Sequence, residues 1–505
     1  MRALAQRLGG GPLIQLEWLF ALLMATAFAY FVGTGFWVGA AGILGLVAFV
    51  LLILMRPDAI TVIWFVGMPT IFIVGNNALS GIPFVTFDRL LFLAAFGLLV
   101  ARLLVQPRSV QRVGPIEKSM ALLLLVFIIS WAFTMPGKSN ELLWDDTAML
   151  FDTYLMPFAA FLVARNIAWS EVTVKRFLWC FVLVVGSYLI VTGLLQYVLG
   201  MDFFMSKQHR NMHPDRMTGP FINALVFGII LASVFMMALW LFLHSKQPWQ
   251  RLLLLGMIGG LCLCILLSKG RAVWLAMPIA LGYLFLMDKR IRPLLIALAL
   301  LAGLAAPPLT FVMAERAALG ERLGARSPVF NRVALYATAV DMIKERPIFG
   351  FGFGISTYGD HRTPFLTSWG DVPAQYSMDA SIPHNEFLNV LVLVGVVGLV
   401  PFVILFWYCW RALARCHSGR DPCEPHARDL ALYVQAIFII VVVNGQFMDV
   451  SRGHFFLFTM LFFLMGMVVR TPPAVIEAER LDSGFGPKRP QRLTPPPEAP
   501  ASGRA

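Results

Sequence analysis

The stretch HNEFLNVLVLVGVVGLVPFVILFWYCW, residues 384–410, opens on His384, Asn385 and Glu386 and then runs without an Asp, Glu, Lys or Arg as far as Arg411. A helix rises 1.5 Å per residue, so about 20 apolar residues cross the roughly 30 Å hydrocarbon core of a bilayer. A segment of this length and composition belongs in lipid. Only a helix satisfies the backbone N–H and C=O groups of such a segment there, because an open sheet edge would leave them unpaired. Runs of the same kind recur from Leu13 to Val469. Helices are expected at about 13–33, 36–55, 59–75, 89–105, 118–135, 147–164, 176–199, 220–243, 251–268, 272–287, 293–313, 385–410, 429–448 and 454–470, about fourteen in all.

In a chain of 505 residues, 59% hydrophobic and 13% charged side chains exclude an ordinary soluble globular protein. The first run, Leu13 to Phe31, is too long for a cleaved signal peptide and has no small-residue cleavage site, so it is expected to remain in the mature chain. The net charge of +12 could suggest nucleic acid, but its distribution is an orientation signal. Arg2, Arg7, Arg56, Arg108, Arg112 and Lys118 fall in loops of one parity, as do Arg165, Lys175, Lys246, Arg251, Lys289, Arg290, Arg292, Arg411 and Arg415. Those loops are expected in the cytoplasm, with both termini. None of the six cysteines falls in an opposite loop, so no disulfide framework is expected.

The longest loop on the other side, Ala314 to Pro383, balances seven Lys or Arg against seven Asp or Glu and is free to lie outside. Within it Val329, Val333, Tyr336, Val340 and Ile343 recur at helical spacing, which predicts an amphipathic helix on the membrane surface or on the bundle. The expected organisation is helices 1–11 over 1–313, a periplasmic loop domain over 314–384, helices 12–14 over 385–470, and a Pro- and Arg-rich disordered cytoplasmic tail over 471–505.

Chemistry-bearing residues gather at the outer ends. Arg271, in Ser268-Lys-Gly-Arg-Ala-Val-Trp274, sits where two apolar runs meet with almost no loop, and it reads either as a snorkelling anchor or as a bidentate phosphate ligand. Arg332 precedes Pro347-Ile-Phe-Gly-Phe-Gly-Phe-Gly354, whose glycines let backbone pack closely or approach a ligand; alone it reads as a salt-bridge partner. His384 stands at the membrane interface directly after Pro383, either a polar helix-start residue or an imidazole able to take a proton from a sugar hydroxyl. His209 and His213, with Arg210 and Arg216, make the 200–220 loop basic; a third metal ligand is not evident, so attraction of a substrate or headgroup is the sharper reading. Asp152, inside the sixth run, should face the bundle interior as a structural partner or an acceptor contact.

Three of these segments, taken in order, resemble the O-antigen ligase and polymerase superfamily of bacterial inner-membrane glycosyltransferases. They are Ser268 to Leu275, Arg332 with Pro347-x-x-Gly350-x-Gly352, and His384-Asn-x-x-Leu388 with the Gly395-x-x-Gly398-Leu399 helix, and the likeness is best over 250–410. Gly270 stands where that family often has Ser, and Tyr336 where Trp is common. The resemblance implies a GT-C-like fold and inverting transfer of an undecaprenyl-diphosphate-linked glycan, without metal or cofactor, to a glycan or lipid A-core acceptor at the periplasmic face of the inner membrane. Arg271 and Arg332 would grip the donor diphosphate and His384 would activate the acceptor hydroxyl, with Asp152, Arg210 and Arg216 as further contacts. A transporter or flippase and a scaffold of a polysaccharide-secretion complex are the competing readings. A transporter would place its ionisable residues nearer mid-membrane.

Overall fold

The computed structural model describes residues 57–70, 86–105, 111–167, 169–201, 216–221, 223–298, 300, 327–366, 382–449 and 456–470. The helices expected at 13–33 and 36–55 and the tail from 471 lie outside the described residues, as does Arg210. The rest is helical, with no strand among the described residues. The helices are α1 (Pro57–Gly67), α2 (Phe87–Val105), α3 (Pro115–Thr134), α4 (Asn140–Asn166), α5 (Glu171–Leu199), α6 (Ala224–His244), α7 (Pro248–Leu267), α8 (Arg271–Met287), α9 (Ser327–Glu345), α10 (Thr357–His361), α11 (Glu386–His417), α12 (Pro425–Gly445) and α13 (Phe456–Val468). Seven of them, α3 to α7, α11 and α12, are long and apolar enough to cross a membrane. The chain is a membrane protein.

Local chemistry sets the starts of these helices. Ser139, Ser170, Asn223 and Asn385 each accept a hydrogen bond from a first-turn N–H of α4, α5, α6 and α11, and Pro opens α3, α7 and α12. Capping by Ser139 starts α4 at Asn140 rather than at 147, because its first turns are polar and invisible to a hydropathy window. Likewise α11 continues to His417, past the apolar run.

Packing divides the helices by composition. α6 is apolar all round and buried from Ala224 to Leu241, which makes it a central post against α7 and α12. Gly466 lets α13 lie directly on α4, where a Cβ would meet the Phe161 carbonyl and Ala164. An aromatic cluster joins α1, α5 and α13, with Phe65 and Phe463 stacked at 4.3 Å and Phe177 and Phe181 beside Phe65 at 5.4 and 5.3 Å. By contrast α3 and α11 expose apolar stripes, Leu122, Leu125, Ile129 and Phe133 on one and Val396, Val400, Val403 and Trp407 on the other, which are the lipid-facing surface.

Where the amphipathic helix is expected a helix is present, α9, but its buried side is Leu335, Ala339 and Met342, packed with Val392 of α11 and Tyr358 of α10; of the expected stripe Tyr336 and Ile343 are partly buried against this cluster and Val340 is exposed. Behind it the glycine-rich run 347–354 enters a break in α11. Gly395 leaves helical geometry at φ 60°, and the backbone groups this frees are taken by the run: Phe351 and Gly352 N–H donate to Val392 and Leu393 carbonyls at 2.8 and 2.9 Å, and Val396 and Val397 N–H donate to Pro347 and Ile348 at 2.9 and 3.2 Å. Gly350, at φ 67°, lies so close that a Cβ would sit 2.6 Å from the Val392 carbonyl oxygen. Ser130, Thr134 and Asp146 hold the far end of the run through Phe353 N, Phe353 O and Ile355 N at 2.9, 2.7 and 2.6 Å. The glycines serve close backbone packing.

Candidate functional site

Two non-glycine residues among those described have left-handed backbone, Lys269 at φ 51° and His384 at φ 55°. Such geometry costs of order 1–3 kcal/mol and persists where surroundings enforce it. Both flank the charges singled out by the sequence.

The α7–α8 corner carries the first. Ser268 ends α7 with its hydroxyl on the Ile265 carbonyl, buried Lys269 reverses the chain, and Arg271 is the first residue of α8. The Arg216 guanidinium donates to the Ser268 and Lys269 carbonyls at 3.3 and 3.1 Å, occupying C-terminal acceptors of α7. Gln196 of α5 secures Arg216 in turn, donating to its carbonyl at 3.0 Å and accepting from Thr218 and Gly219 N–H at 2.8 and 3.1 Å. A cation opening a helix opposes the helix dipole, and α8 has no acidic residue in its first turn to offset it. An anion at this corner would offset both the cation and the helix dipole.

The second is the start of α11. Asp449, buried in the turn after α12, accepts from His384 and Asn385 N–H at 3.1 and 3.2 Å. Asn385 caps the helix with its side-chain oxygen, accepting from Phe387 and Leu388 N–H at 3.0 and 3.1 Å, and its amide nitrogen donates to the Gln446 carbonyl at 3.3 Å. These bonds hold His384 in its left-handed conformation.

α9 joins the two. Arg332 and Tyr336 share a face of α9; the Tyr336 hydroxyl reaches the His384 carbonyl at 3.3 Å and the Gln446 carbonyl, while the Arg332 guanidinium lies 5.4 Å from the Phe447 ring. Burial pushes the Arg332 guanidinium below its ordinary value; Tyr336 partly opposes this, and the positive charge of Arg271 adds to it. Arg271 and Arg332 thus lie within electrostatic reach of each other, and neither makes a hydrogen bond or ion pair among the described residues. Two guanidiniums without a carboxylate partner among the described residues have the chemistry to receive an anion with two or more oxygens.

Arg271, Arg332 and His384, spread over more than a hundred residues of sequence, are gathered by α9. Asp152 is engaged elsewhere: it lies in the π-helical segment Phe151–Leu155 of α4 and takes a two-point ion pair from Arg89 of α2 at 2.9 and 2.6 Å. Arg216 supports the α7–α8 corner within three residues of Arg271. Sequence reasoning missed Asp449, in the short break between the last two apolar runs, and Gln446, near the end of the run at 429–448, and gave Tyr336 no role beyond packing.

Residues 260–403 match the O-antigen ligase family. Over that segment the chain is O-antigen ligase-like. The matched segment includes Arg271, Arg332, the glycine-rich run and His384 together, and it supports a glycosyl-transfer role in polysaccharide assembly. No curated protein matches the chain.

Proposed function

We propose that this protein is a glycosyltransferase that moves a glycan from an undecaprenyl-diphosphate carrier to a sugar hydroxyl at the periplasmic face of the inner membrane, as a polymerase or an O-antigen ligase. The observation that carries this reading is that Arg271 and Arg332 lie within electrostatic reach of each other, without carboxylate partners among the described residues, near the point where His384 is held in a fixed conformation.

The His384 imidazole accepts the proton of the acceptor hydroxyl as its oxygen attacks the anomeric carbon. The bond from that carbon to the diphosphate oxygen breaks, and the electron pair leaves with the diphosphate. Attack opposite the leaving group inverts the anomeric centre. Charge grows on the departing diphosphate, and Arg271 and Arg332 are placed to neutralise it, with α8 adding its N-terminal dipole. Positive charge already fixed in the site supplies this stabilisation from protein side chains alone. The polyprenyl tail lies in lipid, so a diphosphate at headgroup depth meets cations at the helix ends. Asp152, Arg210 and Arg216 remain proposed acceptor or substrate contacts.

One observation favours the competing transporter reading: a helix broken at mid-course, as α11 is at Gly395, is common in transporters. Here the break is filled by the chain's own segment 347–352 rather than left open to a cargo, which favours the enzyme.

The decisive experiment supplies purified protein with a lipid-linked oligosaccharide and an acceptor. Growth of the glycan identifies a polymerase and labelling of a lipid A-core acceptor a ligase; translocation without a new glycosidic bond would overturn the proposal. Orientation is tested by a cysteine replacing Asp360, which should label only from the periplasmic side; labelling from the cytoplasm alone would invert the proposed topology.

A further inference from the structure

At the opposite end of α11 from His384, a cavity of about 540 Å³ opens among the start of α3 and the ends of α4, α11 and α13. Four arginines line it, Arg165, Arg411, Arg415 and Arg470, against two carboxylates, Glu117 and Asp421. Each carboxylate is committed: Arg165 forms an ion pair with Glu117, and Arg415 binds Asp421 at 2.8 and 2.9 Å. Arg411 makes no hydrogen bond or ion pair among the described residues, and the buried Nε of Arg470 has no hydrogen-bond partner; Glu424 acts on Arg470 only through its field. Two guanidiniums are left facing one cavity.

The depth of the cavity indicates where its ligand comes from. The lipid-facing stripe of α11 runs from Val396 to Trp407, and the cavity begins at Tyr408 and Arg411, immediately beyond it. The stripe of α3 starts at Leu122, a turn or two beyond the cavity-lining Ile116 and Glu117. A group in the cavity is therefore at headgroup level, with apolar surface next to it for acyl chains. The volume falls within the range of small-molecule sites, roughly 300–1,000 Å³.

We propose that this cavity binds the phosphate of an anionic membrane lipid, with Arg411 and Arg470 as its ligands and the two ion pairs bracing the walls. The site is separate from the glycan site and does not depend on its function. Native mass spectrometry of the full chain, equilibrated with phosphatidylglycerol or phosphatidylcholine, tests it. Phosphatidylglycerol should be retained in preference and raise the melting temperature. Arg411→Gln with Arg470→Gln should weaken that retention about tenfold or more, at an unchanged melting temperature in phosphatidylcholine. Arg411→Gln alone, an exposed position, gives a smaller loss in a variant whose folding is not in question. Displacement of the lipid by millimolar inorganic phosphate would support the same phosphate site with a soluble ligand; failure of phosphate to compete supports the lipid. Equal retention of both lipids by the wild type, or undiminished phosphatidylglycerol retention by the variants, would overturn the proposal.

Discussion

Two clusters, one around Arg290 and one around Arg271 and Arg332, use cations in opposite ways. Where α6, α8 and α12 meet, Arg290 binds Asp288 through two bonds of 3.0 Å and Asp429 through a third. His244 approaches Asp429 at 3.2 Å, and Tyr433 donates to Asp288 at 3.3 Å. At the other cluster Arg271 and Arg332 lie within electrostatic reach of each other, and the carboxylate of Asp449 is turned to the backbone of His384 and Asn385. Paired charges staple helices together and leave little field for a ligand. Charges held together without partners store repulsion that an anion relieves, and the surrounding strain at Lys269 and His384 marks the same cluster.

The sharpest way to break this comparison is to remove the imidazole. His384→Ala should lower glycan transfer by about 10²–10⁴-fold while insertion and donor binding persist, because the backbone bonds to Asp449 do not need the side chain. Normal polymer or ligated glycan in cells expressing the variant at wild-type level would remove the base from the mechanism.

Lysine at Arg271 or Arg332 keeps the charge and loses the two-point geometry, so turnover should fall about tenfold or more, with Ala worse. Steady-state kinetics of Arg332→Lys at wild-type rates would reduce that residue to a cation of the loop.

Ala at Gly350 or Gly395 places a Cβ against backbone at a positive φ, and neither main chain can withdraw without opening the contact between the 347–354 run and α11. A loss of about 3 kcal/mol or more is expected in thermal unfolding, with transfer lost alongside. A stable, active Gly395→Ala would show that the break in α11 is incidental.

The paired cluster should respond least. Burial raises the Asp288 carboxyl, but hydrogen bonds and charge from Arg290 outweigh it and hold the group below its ordinary value. Its stabilisation is therefore present above the unfolded value of about 3.9 and is lost as pH falls through the lower folded value. Arg290 is half exposed, so Asp288→Asn should cost only about 1 kcal/mol in melting experiments near neutral pH and leave transfer unchanged. A large loss of transfer would couple the two clusters.

The long apolar runs predicted most described helices within a few residues, and their errors are instructive. Hydropathy found α11 but not its extension to His417, and it started α4 at 147 because it gives no weight to a Ser cap followed by polar turns. Arg271, Arg332 and His384 were legible because each stands at the end of an apolar run or in the loop between such runs, where a charge is conspicuous. Asp449 was not, since an acid between two spans looks like any loop residue until its backbone partners, more than sixty positions away, are known.

The sequence by itself determined that the chain is helical and lives in lipid, because burial of a long apolar run is a property of that run alone and a bilayer imposes its own length. It also carried the existence of α9, though not which side of that helix is buried. Only the tertiary structure decided what the glycines of 347–354 do, that Tyr336 bonds to the His384 carbonyl, and that Asp152 goes to Arg89 rather than to the cluster at His384. Each of these is a contact between groups on different elements. A hydrogen bond or ion pair needs its partner within about 3 Å, a distance that packing sets and residue spacing along the chain does not encode.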